Sequence, residues 1–179
     1  MRLKLEQVKA AQLFCAKNHN KYPAILFDRG YMVATDGVAM LIQPIENDIG
    51  VFSITASEFD GIKDKTVEVT ADGMVNDRVK VRIQEGIQCP WRRVIPESLE
   101  KATANEPADY DSDYIAKIGK AAKLLTGTWH FKLHQNGAKP GVVVFNSLPG
   151  TFALIMPLWL EKLKGKFELI LPDGEMKNE

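Results

Sequence analysis

The sequence predicts an α+β fold built from about three β-α-β-β-β half-units, with sheets on one side and helices on the other. Three observations predict it. Apolar residues recur at helical steps in two stretches, Lys4–Lys17 and Asp111–Leu125. Short apolar runs fill much of the rest, set apart by turn formers such as Asp28-Arg29-Gly30, Asp72-Gly73 and Asn136-Gly137. The segment Pro90-Trp91-Arg92-Arg93-Val94-Ile95-Pro96 then closes the first patterned part just before a polar stretch.

Lys4–Lys17 contains no Gly or Pro, and Leu5, Val8, Ala11 and Cys15 share one helical face. Asn18-His19-Asn20 stops this helix, and Tyr22-Pro23 turns the chain. Ala24–Phe27, Tyr31–Ala34 and Val38–Ile42 follow as a strand meander, with Thr35-Asp36-Gly37 between the last two. The second unit opens with Phe52–Thr55 as a strand and Ser57–Asp60 as an abbreviated helical turn, Ser57 being a good cap. Thr66–Thr70 and Arg78–Ile83 alternate with period two, so each has one wet face, and Asp72-Gly73 makes the hairpin between them.

Prolines fix φ and lack a backbone donor, so Pro90–Pro96 is expected to be a rigid extended strap carrying two arginines. Glu97–Pro107 is polar and linker-like. The third unit begins with the best helix of the chain, Asp111–Leu125, capped by Asp111 or Ser112. Tyr114, Ile115, Ile118, Ala122 and Leu125 lie on one side of it, and Lys117, Lys120 and Lys123 on the other. Strands are expected over Thr128–His134, Val142–Phe145 and Thr151–Met156. The resulting division is 1–96, a linker at 97–110, a third half-unit at 111–158, and an extension at 159–179 with a lysine cluster and an apolar run, Phe167–Leu171.

Several functions are disfavoured by what the 179 residues contain. The 23 basic residues balance 23 acidic ones, which excludes a uniformly positive coat but leaves room for one basic face. Thr151–Leu160 is too short to span a bilayer and holds Pro157, so no membrane partner is expected. Cys15 and Cys89 have no metal or disulfide-framework spacing, which suits a reducing cytoplasm. No phosphate-binding glycine loop or nucleophile elbow is present. His130 and His134 alternate with Trp129, Phe131 and Leu133 as on a strand. Residues four apart on a strand stand roughly 13 Å apart, too far to share an ion. No catalytic residue, metal or cofactor is therefore expected. The three lysines at three-residue steps drift only about 60° per step, giving one basic helix face. Such a face is either plain solvated surface or a set of phosphate contacts.

Tyr31-Met32-Val33-Ala34-Thr35-Asp36-Gly37, then Pro90–Pro96, then Ala153-Leu154-Ile155-Met156-Pro157-Leu158 resemble, in order, three signatures of the bacterial sliding clamp, the β subunit of DNA polymerase III. The resemblance covers roughly residues 1–158. It implies a DNA-clamp-like fold and a non-enzymatic processivity or scaffold role in DNA replication. It also implies a hydrophobic pocket for the short peptides of DNA polymerases or clamp loaders. By motif position that pocket would comprise Thr35, Gly37, Met40, Pro90, Arg93, Val94, Leu154 and Met156. Double-stranded DNA would be met without sequence preference by Lys9 and Lys17 of the first helix and Lys117, Lys120 and Lys123 of the second.

The chain departs from the pattern in two ways. Val38-Ala39 stand where the family has a His-Arg pair, and the chain is short. The first two units resemble the clamp's middle domain, and the third the closing half of its last domain. A clamp ring holds twelve such halves from two chains, so this chain would close one only as a homo-oligomer of four. A reduced, phage-derived relative forming no ring is equally open, acting as an interaction module or regulator of host replication.

Overall fold

A β-strand placed directly before the first helix opens the chain. β1 (Arg2–Lys4) runs into α1 (Leu5–Phe14), and the side-chain oxygen of Gln7 accepts a hydrogen bond from the Lys4 N–H (2.9 Å) to cap the junction. The computed structural model describes residues 1–16, 23–48, 50–70, 72–76, 79–80, 83–84, 89–96 and 108–158. The linker at 97–107, the Asn18–Asn20 stop, the C-terminal extension beyond Leu158 and Lys17 thus lie outside the described residues.

After α1 come β2 (Ala24–Asp28), β3 (Tyr31–Thr35), β4 (Ala39–Pro44) and β5 (Val51–Thr55), a single turn at Ala56–Phe59, β6 (Thr66–Glu68), β7 (Met74–Val75), β8 (Val79–Lys80) and β9 (Ile83–Gln84). Then follow α2 (Ser112–Thr126), β10 (Lys132–His134), β11 (Gly141–Val144) and β12 (Phe152–Ile155). Among the described residues eight strands form one antiparallel sheet in the order β10-β11-β12-β4-β3-β2-β5-β9, while β1 pairs β6 and β7 pairs β8. The architecture is α+β. Its central joint is the pairing of β12 with β4, where Leu154 stands opposite Met40 and Ala153 opposite Leu41.

Both faces of this sheet are covered, which explains why β2, β3 and β4 are apolar throughout rather than alternating. Ile25, Phe27, Met32, Ala34, Leu41, Ile54, Val143, Ala153 and Ile155 point to the face packed by α1 and α2. Their sequence neighbours Leu26, Val33, Met40, Ile42, Val142 and Leu154 point to the opposite face and gather round Trp91. α1 also packs against α2, so its buried side includes Ala10 as well as Leu5, Val8, Ala11 and Phe14. Gln43, 1 % exposed, reaches from β4 to donate to the Gln7 carbonyl (3.0 Å), tying sheet to helix. In α2, the Asp111 carboxylate accepts from the Asp113 N–H (2.8 Å), and Gly127 ends the helix at φ +78°, where a side chain would be strained.

Four local expectations are corrected. Pro90–Pro96 is not extended: Trp91–Val94 forms one 3₁₀ turn, with the Arg93 N–H donating to the Pro90 carbonyl (3.0 Å). Pro90 sits at the start of that turn, where its missing N–H costs nothing and its φ of −75° suits helical entry. The expected 66–83 hairpin is broken into smaller pieces. Asn76 adopts φ +52° and its Oδ1 accepts from the Glu68 N–H (2.7 Å), so β7 turns back to β8 after two residues. The Ala56–Phe59 turn is preceded by Thr55 and has no side-chain cap, so Ser57 does not cap it. Finally, the expected Thr128–His134 strand shortens to Lys132–His134, because Thr126 bonds Thr128 and Trp129 lies on Gly119 of α2.

Candidate functional site

The corner between β3 and β4 is fixed by its own side chains. Thr35 Oγ1 accepts from the Gly37 N–H (3.0 Å) and donates to the Ala39 carbonyl (2.8 Å). Asp36 Oδ1 accepts from the Val38 and Ala39 N–H groups (3.0 and 2.9 Å). Gly37 takes φ +94°, which a residue with a Cβ would adopt only under strain. Asp36 Oδ2 meets Lys117 Nζ of α2 in an ion pair, and the ammonium lies 4.2 Å from the Tyr114 ring centre.

The 89–96 segment is fastened to the sheet face by its tryptophan. Trp91 is 3 % exposed, donates Nε1–H to Asp28 Oδ2 (2.8 Å), and packs against Tyr31 with ring centres 5.4 Å apart. Arg92 pairs with the same Asp28 carboxylate, and its guanidinium stands 4.2 Å over the indole. Arg92 is thereby engaged with the sheet, while Arg93 lines a recess with Asn136, Lys139 and Pro140.

β12 supplies the third wall. Its end is joined to the corner by the Met156 N–H donating to the Val38 carbonyl (2.9 Å). The three segments, distant in sequence, enclose a groove of about 330 Å³. Thr35, Gly37, Met40, Pro90, Val94, Leu154 and Met156 all line it. Arg93 does not; it lines the adjoining recess of about 580 Å³, which shares Val94, Pro140 and Met156 with the groove. Sequence reasoning missed Val38, Ala39, Cys89, Trp91 and Pro140 as lining residues. Trp91 and Cys89 could have been found from their place in or beside the proline-bracketed segment; Pro140 gives no local signal. Burial raises the Cys89 thiol pKa, partly offset by the Trp91 backbone N–H, so this wall stays uncharged at neutral pH.

The lysine stripe is corrected in one member. Lys117 turns inward to Asp36, with 23 % of its side chain exposed, and so is not part of an open basic face. Charge attraction and the Tyr114 ring hold it there more firmly than water would. Lys9 and Lys120 are exposed, and Lys123 is exposed but donates to the Gly127 carbonyl (2.6 Å) at the end of its own helix. On the far side of the same corner Cys15 is buried; desolvation first, and Asp36 second, push its thiol up to about 12. Among the described residues no cluster of three or more His, Cys, Asp or Glu is arranged to hold a metal ion, and no helix is long and apolar enough to cross a membrane.

No family model matches the chain, and no curated protein sequence matches it. Solved structures do. DNA polymerase III subunit beta from Borrelia burgdorferi superposes with a TM-score of 0.61 at 11% identity, over 89% of this chain and 64% of that one. The DNA polymerase sliding clamp from Bacillus subtilis gives 0.61 at 10% identity, over 88% and 63%. The Thermotoga maritima beta subunit gives 0.58 at 15% identity, over 88% and 65%. The chain therefore has the fold of these clamps while spanning less than two thirds of the length of each.

Proposed function

We propose that this chain is a sliding-clamp-like, non-enzymatic DNA replication protein that holds short apolar peptides of DNA polymerases or clamp loaders in the groove between the Thr35–Met40 corner, the Pro90–Val94 turn and β12. In this reading residues 1–96 and 111–158 are the clamp-like units. One observation carries it: three segments remote in sequence converge on a groove whose walls are almost wholly apolar and include two methionines, Met40 and Met156. Adaptable apolar walls with arginine at the rim suit an extended or helical peptide.

The reading is tested by fluorescence polarisation with a labelled clamp-binding peptide from a replicative polymerase. Val94 and Met156 are each 44% exposed, so charging them leaves the core intact. V94E and M156E are each expected to weaken binding by about tenfold or more, equivalent to about 1.4 kcal/mol, with an unchanged melting temperature. Equal binding by native chain and both variants would remove the groove from the function.

A second reading is an interaction module or regulator that keeps the groove and does not encircle DNA. Two observations favour it: Lys117 is spent on Asp36, and the formal net charge is zero. The readings separate on duplex binding measured against salt. If DNA is held, replacing Lys9, Lys120 and Lys123 by Gln is expected to weaken binding on all sequences alike. The salt slope should also fall by roughly 0.9 for each phosphate no longer neutralised. K117Q should change that slope little. A native chain with no duplex affinity at low salt but intact peptide binding selects the module. In the clamp reading the chain assembles as a homo-oligomer, four copies closing a ring, and a monomeric mass by light scattering would remove the ring.

A further inference from the structure

We infer that the groove is covered, in the free protein, by the chain's own C-terminal apolar run, Phe167-Glu168-Leu169-Ile170-Leu171. The inference rests on the peptide-groove reading above and adds the identity of one occupant. Among the described residues six large apolar side chains are exposed, and three of them, Val38, Val94 and Met156, line this one groove. Apolar surface gathered in this way marks a place where something docks.

The path of the chain supplies the candidate. Leu158, two residues beyond the groove wall at Met156, is held at the rim by its N–H donating to the Asp109 carbonyl (2.7 Å). Residues 159–166 then separate it from Phe167. A stretch of that length reaches as far as roughly 27 Å when extended, and a five-residue strand covers about 17 Å. Tethering raises the local concentration of the run to the millimolar range, so even a weak fit fills the site.

Charge points the same way. Arg93 and Lys139 flank the adjoining recess, and the run carries Glu168 and is followed by Asp173 and Glu175. Pairing beside β12 is not open to the run, because β11 and β4 occupy both of its sides. The competing destination for an apolar strand-like run is an outer strand of the sheet, β10 or β9.

Photo-crosslinking of the full chain with p-benzoylphenylalanine in place of Leu169, mapped by mass spectrometry, tests this. Cross-links within one chain to the Val94–Met156 wall are expected. Cross-links between chains, cross-links to β10 or β9, or none at all would overturn the inference. A second measurement separates it from the reading beneath it. The full-length variant F167S/L169S/L171S should bind the labelled polymerase peptide about tenfold more tightly than the native chain, because the internal competitor is gone. Equal affinities overturn self-covering and leave the peptide groove standing. Groove cross-links without any polymerase-peptide binding uphold self-covering and sink the polymerase reading instead.

Discussion

Trp91→Ala is expected to cost about 3 kcal/mol or more of folding stability, within the range for emptying a buried aromatic site. The indole is 3 % exposed and fills the centre of the sheet face opposite the helices, against Leu26, Val33, Ile42 and Val142. For a chain of this size the loss should lower the thermal midpoint by roughly 10 °C. The same change removes the Nε1–H bond to Asp28 and the surface on which Arg92 lies, so the 89–96 segment loses its fastening. Polymerase-peptide binding should then fall at temperatures where the variant is still folded. Trp91→Phe keeps most of the packing and gives up the Asp28 bond, so a smaller cost of about 1–2 kcal/mol is expected. Circular dichroism melts and polarisation on the three proteins check the order. A Trp91→Ala protein that melts and binds like the native one would show that the groove wall stands without its anchor.

The second large effect is expected at Asp36. Its carboxylate accepts two backbone N–H groups of the corner and faces the inward-turned Lys117. Asp36→Ala leaves those donors and a three-quarters-buried ammonium without their partner, for a cost of about 2–3 kcal/mol. Lys117→Met is expected to cost about 1 kcal/mol, since its stem still covers Phe14 and Tyr114 while Asp36 keeps its two N–H donors. The double variant Asp36→Asn, Lys117→Met should cost less than the sum of the two singles, because each single leaves one charge stranded. Denaturant unfolding of the full cycle measures this. Strict additivity would mean that the two side chains do not act as a pair.

Much of the fold was legible because its strongest local signals agree with the tertiary structure. α2 begins at the Asp111 cap and ends at Gly127, and β2, β3 and β4 occupy the apolar runs read as strands. What was not legible was set by partners far along the chain. Arg2–Lys4 is too short to announce itself and is a strand because Thr66–Glu68 lies beside it. Lys117 looked like a solvated stripe residue by its spacing, and only the return of Asp36 beneath α2 turns it inward. The eight expected groove residues could be named from three motifs, and seven of them share one wall. Arg93 stands one recess away because the 3₁₀ turn rotates it off the line an extended strap would give.

The β4–β12 pairing has a consequence for how the molecule comes into being. Met40 waits for Leu154, so the central joint forms only after more than a hundred intervening residues have been synthesised. Closure over such a distance is slow compared with the local hairpins β2–β3–β4. Until then Ala39–Pro44 is a bare apolar margin on a nascent sheet, with unpaired backbone groups able to recruit a strand from another chain. Ribosome-bound intermediates halted before Phe152 should therefore be sticky and should hold no peptide, since one bank of the channel has yet to leave the exit tunnel.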